Sequence, residues 1–367
     1  SLQYIGSAAV TEGSASATKS TLKSYFSRVK YNYKYKYIFT FNARFDGSSN
    51  FGENNRYGFF PSASVAWRVN QEEFLKNVAF ISDLKLRISA GVTGNDRIGS
   101  FGYQGLYGGG FNYLGQSGIA PIQLPNPDLK WETTTENDFG FDLSVLKDRI
   151  AITFDYYKKN TSDLLLAQPV PLSSGFATIN KNVGEVQNKG VDMSLNTVNV
   201  DGAFKWSSIL NISTNKNKVT KLYGDAALQL FGRGNNALIQ GQPLGVFYGY
   251  KWLGVDPSTG DCVFADLNKD GQITSADQEI IGNPYPKFVG GFTNTFTYKG
   301  WSLSLFLQYS YGNDIFNGNR IYIESLKGSD NQTTAVLNRW MKPGDITNIP
   351  RATNLDPNGN NRLSSRF

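Results

Sequence analysis

The sequence predicts an all-β fold: a transmembrane antiparallel β-barrel, present here as about ten strands with long extracellular loops. Three observations carry that reading. Apolar and polar residues alternate with a period of two in segment after segment. The links between these segments are alternately short and long. The composition suits strands and turns, since 14% of the 367 residues are aromatic and 38 are glycine.

The elements follow in chain order. A faint alternation at 24–32 opens the series. From Tyr37 to Phe45 the odd positions are Tyr37, Phe39, Phe41, Ala43 and Phe45, against Ile38, Thr40, Asn42 and Arg44. From Phe59 to Val69, Phe59, Pro61, Ala63, Val65, Trp67 and Val69 stand against Phe60, Ser62, Ser64, Ala66 and Arg68. From Leu84 to Val92, Leu84, Leu86, Ile88, Ala90 and Val92 oppose Lys85, Arg87 and Ser89. Weaker versions fall at 135–144, 150–157, 191–197, 204–213 and 289–298. The last segment is clear again, with Trp301, Leu303, Leu305, Leu307, Tyr309 and Tyr311 set against Ser302, Ser304, Phe306, Gln308 and Ser310. Each segment places its apolar set on one sheet face, and each is close to the ~9–11 residues that cross a bilayer at a tilt.

Short links join these segments at Tyr33 to Lys36, Leu146 to Arg149, Val198 to Ala203 and Lys299-Gly300. Asn70 to Asp83 is longer, and Gln71-Glu72-Glu73-Phe74-Leu75 in it suits a helical turn. Long polar segments fill 46–58, 93–132, 158–190, 214–288 and 312–367. Short turns on one side and long loops on the other are the layout of an outer-membrane barrel. A soluble β-sandwich or β-solenoid also alternates, but its strands run to about 5–6 residues and loops this long are uncommon in it.

Composition excludes several activities. With no histidine, Ser-His and Cys-His catalysis and most zinc sites are removed. The single cysteine, Cys262, allows no intrachain disulfide and no multi-thiol metal site. The net charge is +6, yet Lys and Arg are scattered singly, so no nucleic-acid partner is expected. No pair of carboxylates stands out for glycoside hydrolysis. The chain reads as no enzyme. No stretch is apolar enough for a transmembrane helix, and Ser1-Leu2-Gln3-Tyr4 shows no signal peptide.

Several segments go beyond pattern. Arg44-Phe45-Asp46-Gly47-Ser48-Ser49-Asn50-Phe51-Gly52 precedes Asn55-Arg56-Tyr57-Gly58-Phe59-Phe60-Pro61-Ser62. Later come Gly94-Asn95, Asn126-Pro127-Asp128-Leu129-Lys130-Trp131-Glu132, Asp155-Tyr156-Tyr157, Asp163-Leu164-Leu165 and Asn188-Lys189-Gly190-Val191. Gly282-Asn283-Pro284-Tyr285-Pro286-Lys287, Arg339-Trp340, Pro343-Gly344-Asp345 and Ile349-Pro350-Arg351 complete the set. In combination they resemble the SusC/RagA family of TonB-dependent outer-membrane transporters, over essentially the whole chain.

The resemblance implies a barrel of about 22 strands around an N-terminal plug, of which residues 1–367 would be an interior piece lacking the plug and the final strands. Phe367 then reads as a truncation point. It also implies an outer-membrane location in a Gram-negative, Bacteroidetes-like cell and import of glycan oligosaccharides or oligopeptides. The implied partners are a SusD-like surface lipoprotein, the TonB complex acting through the missing N-terminal region, and the lipid bilayer. Two alternatives stay open: a passive porin-like channel, and a soluble calcium-binding adhesive β-domain.

One local motif has metal-ligand spacing. Residues 266–277 place Asp266, Asn268 and Asp270 at positions 1, 3 and 5, Gly271 at 6, Gln272 at 7 and Asp277 at 12, as in an EF-hand-type calcium loop. A structural calcium ion is therefore expected within an extracellular loop, with Gln272 ligating through its carbonyl. Asp at position 12 is shorter than the usual Glu, and resembles calcium loops of dockerin type. Finally, if the apolar set faces lipid, the inward set is basic in the first four strands (Arg28, Lys30, Arg44, Arg68, Lys85, Arg87). It is acidic in the next three (Glu136, Asp138, Asp142, Asp155, Asp192).

Overall fold

The computed structural model describes residues 18–222, 228–231, 236–326, 331–353, 359, 362 and 364–366. Ser1-Leu2-Gln3-Tyr4 and Phe367, where the ends of the chain are read from sequence, lie outside the described residues. Ten strands form one sheet: β1 Leu22–Tyr33, β2 Tyr37–Ser48, β3 Tyr57–Arg68, β4 Ile81–Asn95 and β5 Glu132–Val145, then β6 Ile150–Ser162, β7 Glu185–Asp201, β8 Phe204–Lys221, β9 Phe288–Tyr298 and β10 Trp301–Tyr311. Sequence order is spatial order, and every neighbouring pair is antiparallel. Among the described residues no helix is long and apolar enough to cross a membrane.

All ten expected strands are present, most of them longer than alternation alone suggested. The largest extensions are in β7 and β8, of 17 and 18 residues. Their added stretches carry polar side chains on both faces, such as Asn215, Lys216, Asn217 and Lys218, so the pattern of two dissolves there. The long segments are also more ordered than a loop reading implies. They hold two-stranded sheets at Leu106–Gly109 with Ile119–Gln123, Leu165–Pro169 with Thr178–Asn182, and Trp252–Val255 with Cys262–Phe264. A four-stranded sheet joins Leu228–Phe231, Asn236–Ile239, Val246–Tyr250 and Gln278–Gly282.

Phe39, Phe41, Val65, Leu305 and Leu307 are exposed, as a lipid-facing set requires, and Leu86 shares their face but is half-buried. Two tyrosines cross the sheet over glycines. Tyr157 on β6 covers the directly paired Gly190 on β7 and donates its hydroxyl to the Thr214 carbonyl on β8 at 3.4 Å. Tyr309 on β10 covers the paired Gly290 on β9 and reaches the Asn211 carbonyl on β8 at 2.9 Å. A Cβ at Gly190 would lie 2.6 Å from the Tyr157 hydroxyl, too close for any other residue.

The β3–β4 link starts with a 3-10 turn at Val69–Gln71, and a helical turn follows in which Lys76 donates to the Glu72 carbonyl at 2.9 Å. Glu72 staples this end of the sheet. Its carboxylate accepts from the Tyr37 hydroxyl at 2.7 Å, Trp67 Nε1 at 3.1 Å and Lys36 Nζ at 3.0 Å. Those three bonds, the tyrosine's first, lower its pKa from 4.5 to about 2. A folded-state pKa held below the unfolded value gives stability that is present above about pH 4.5 and lost as pH falls towards about 2. Melting the Glu72→Gln variant beside the parent across that window checks this. The parent should lose more stability on acidification than the variant, and equal losses would remove the staple.

Candidate functional site

The pairing registers settle which side chains share a face. Arg28 lies opposite Asn42, Arg44 opposite Phe60, Ala66 opposite Arg87, Arg87 opposite Gly140, and Gly140 opposite Asp155, which is opposite Asp192. With a period of two along each strand, Arg28, Lys30, Arg44, Arg68, Lys85, Arg87, Glu136, Asp138, Asp142, Asp155 and Asp192 all fall on one face. The apolar set takes the other.

Where basic and acidic strands meet, the charges pair across the sheet. Lys85 Nζ lies 2.6 Å from Asp142 Oδ2, Arg87 Nη2 3.1 Å from Asp142 Oδ1, and Arg87 Nη1 2.9 Å from Asp155 Oδ1. Arg87 starts on β4 and reaches β6 by passing over β5. Gly140 opens that path, because a Cβ there would sit 3.0 Å from Arg87 Nη2 and 2.9 Å from the Phe154 carbonyl. The border between the two signs is thus a neutralised seam. Flanking it, Lys159 pairs with Glu136 at 3.1 Å, Arg68 with Asp83 at 3.5 Å and Arg44 with Asp46 at 3.1 Å. Asp192 accepts from the Ser213 hydroxyl, and Arg28 donates to Asn42 at 2.6 Å.

Arg87 and Asp155 of the seam, with Glu136, Asp138, Lys159 and Asp192, line a groove of about 570 Å³. Four carboxylates face two cations there. The chemistry such a wall offers a polar solute is hydrogen bonding and a summed field.

The calcium-loop residues lie apart from this face. Asp266 accepts from the N–H groups of Lys269 at 2.6 Å and Gly271 at 2.9 Å, while Asp270 accepts from Gln272 N–H at 2.7 Å. Asn268 Oδ1 takes Asp270 N–H at 3.1 Å, and its amide donates to Asp270 Oδ2 at 2.9 Å. Gly271 has φ +79°, the left-handed turn that position 6 needs. Asp277 is fully buried and closes the loop, accepting from Leu267 N–H at 2.9 Å and Thr274 N–H at 2.7 Å. Those bonds, Thr274's first, hold its carboxyl below the usual range. The oxygen donors and the turn fit calcium chemically. Among the described residues, though, no three His, Cys, Asp or Glu side chains are gathered as a metal set.

A second group of residues escaped pattern reading. Phe51 and Leu129 are fully buried, and with Phe60 and Trp131 they form an apolar cluster. The Trp131 ring lies 5.4 Å from Phe51 and 5.2 Å from Phe60, and its Nε1 donates to the Arg56 carbonyl at 3.0 Å. Three of the motif segments meet in that cluster. Three more form a clasp, since Trp340 Nε1 and Gly344 N–H both bond the Pro257 carbonyl, and Arg351 pairs with Asp261 at 2.6 Å.

A family model described as TonB dependent receptor-like, beta-barrel matches residues 2–352. The chain belongs to the TonB-dependent receptor family. This receptor chain is 37% identical over 99% of its length to TonB-dependent receptor P3 of Formosa agariphila, covering 38% of that protein. It is 34% identical over 90% of its length to TonB-dependent receptor SusC of Bacteroides thetaiotaomicron, covering 34% of it. The solved RagAB peptide transporter superposes with a TM-score of 0.84 at 28% identity, over 92% of the receptor chain and 39% of the transporter's. The receptor chain therefore spans a little over a third of its relatives' length and is of the SusC/RagA type. These relatives are receptors and transporters, in line with the non-enzymatic reading.

Proposed function

We propose that this receptor chain forms wall of an outer-membrane importer for oligosaccharides or oligopeptides, energised through TonB and covered outside by a SusD-like lipoprotein. The observation that carries the reading is the two-faced sheet: one side apolar for lipid, the other lined by a paired seam and an acidic groove suited to polar cargo. Likeness to a structure described as a peptide transporter supports peptide cargo. The experiment is uptake of labelled oligopeptides and oligosaccharides by cells carrying the complete protein, with and without TonB. Uptake should stop without TonB, whereas undiminished uptake would favour a passive channel.

We also propose that residues 266–277 take up calcium and stiffen their loop. Asp266, Asn268 and Asp270 would exchange their present bonds for the ion, with the Gln272 carbonyl and Asp277 completing the set. Asp266→Ala or Asp270→Ala should weaken calcium binding about tenfold or more by calorimetry while the barrel stays folded. Absence of calcium uptake by the intact parent would remove the site.

A further inference from the structure

Two hairpin turns at the short-link end of the sheet carry the same pair of residues. Tyr33 ends β1 and Lys34 opens the turn into β2, while Tyr298 ends β9 and Lys299 opens the turn into β10. Both lysines are left-handed, at φ 51° and 45°, and are followed by Tyr35 at φ 57° and Gly300 at φ 84°. A twisted hairpin asks for two positive φ values in so short a turn, and Asn-Gly supplies them with least strain. Lysine adopts that conformation against a steric penalty at its Cβ. Strain kept at two equivalent corners points to a use for the side chain. In both, the ammonium lies 5.2 Å from the centroid of the preceding tyrosine ring.

Those rings stand at the rim of the apolar face. Tyr33 stacks on Tyr37 at 6.4 Å, and Tyr37 on Trp67 at 6.5 Å, so one band runs across β1, β2 and β3. Tyr298 is paired directly with Phe204 on β8 and with Trp301 on β10, and Trp301 is 83% exposed. Tyrosine and tryptophan rings of this kind settle at the level of lipid headgroups. The carboxylates of this end are matched to other cations: Glu72 to Lys36, Glu73 to Lys76, Asp83 to Arg68 and Asp201 to Lys205. Asp148, the remaining one, is next to Lys147 in the β5–β6 turn. Neither Lys34 nor Lys299 has a carboxylate partner among the described residues. Lys147 is exposed, and among those residues no ring lies beneath it.

We infer that the Tyr33-Lys34 and Tyr298-Lys299 corners each hold the phosphate of an acidic glycerophospholipid. Short links lie on the periplasmic side of such barrels, so the lipid is one of the inner leaflet. An ammonium without a carboxylate neighbour attracts a headgroup of net negative charge. A zwitterionic headgroup brings its own ammonium to the phosphate and gains less. The tyrosine face holds the lysine in place by its quadrupole, so part of the side chain's freedom is already lost before the lipid arrives. The ring's apolar body then meets the acyl chains below the phosphate. This inference needs only the barrel wall and is independent of what the barrel imports.

The test is titration of dioleoyl phosphatidylglycerol into the complete, delipidated protein in neutral detergent, with native mass spectrometry counting bound lipids. Saturable binding is expected, about fivefold or more tighter than that of dioleoyl phosphatidylethanolamine and weaker at high salt. Lys34→Gln and Lys299→Gln should each weaken one site about fivefold, and together they should erase the preference between the two lipids. Lys147→Gln, which removes the same charge from a turn without a ring, should leave the preference intact. The comparison of lipids uses the unaltered protein, so it decides the matter even if a variant misfolds. Equal binding of the two lipids, or an equal loss in Lys147→Gln, would reduce the corners to general surface charge and overturn the proposal. Displacement of the lipid by millimolar inorganic phosphate, or tighter binding of lipid A at the same lysines, would overturn the assignment to a glycerophospholipid.

Discussion

Phe51→Ala is expected to cost about 3–5 kcal/mol, the range for truncating a buried aromatic to Ala. Phe51 is fully buried against Trp131, Phe60 and Leu129, with Val92, Ile98, Tyr103 and Leu165 packed around them. The cluster lies where the β2–β3 loop meets β3, the segment entering β5 and the start of the Leu165–Pro169 strand. Phe51, Leu129 and Trp131 come from stretches outside the strands while Phe60 is fixed in β3, so a cavity there cannot be closed by sliding one strand. Urea unfolding of the lipid-reconstituted protein measures the cost, and protease cleavage in 49–56 and 126–131 reports loosening of the loops. A loss under about 1 kcal/mol would mean that the cluster collapses easily and does not anchor them.

Leu305→Arg should cost about 2–4 kcal/mol in the same assay. Leu305 lies at the middle of the 11-residue β10, pairs with Asn294 on β9 and is 50% exposed. On the lipid-facing side that leucine suits hydrocarbon, and a guanidinium placed there loses its water with nothing in the bilayer to replace it. Ser304→Arg, one residue away on the charged face, should be nearly neutral. Equal tolerance at the two positions would reverse the assignment of faces.

Those two residues also show what the sequence made legible. Leu305 could be placed from alternation alone, because a membrane wall forces chemistry to switch at every residue, and one slip would move the whole apolar set to water. The common face of Arg28 through Asp192 followed from the same rule. Phe51 offered no such signal. Its neighbours Asn50 and Gly52 are loop residues, and its packing partners lie far along the chain, so only the resemblance of the motif pointed to it. Small sheets in the long segments were equally silent, since strands of four or five residues rich in Gly and Pro, such as Leu106–Gly109 and Ile119–Gln123, are too short to show a period. The cross-strand reach of Arg87 over Gly140 could not be read either, because it depends on register rather than on either strand's own pattern.

The tyrosines that lie over Gly190 and Gly290 bear on how such a wall avoids assembling wrongly. Alternation penalises a slip of one residue, but a slip of two restores every side chain to its proper face and leaves that criterion blind. Moving β6 by two residues along β7 would set Tyr157 opposite Asn188 or Asp192 instead of Gly190. The ring would then meet a Cβ where it now finds a notch, and its hydroxyl would miss the carbonyl of the third strand. Tyr309 and Gly290 impose the same condition at the other side of β8, where the alternatives are Phe288 and Phe292. Each ring and its notch act as a key cut for one alignment; between β6 and β7, joined by a long segment, no tight turn counts the residues and the key does so alone, while between β9 and β10 it acts together with the Lys299-Gly300 turn.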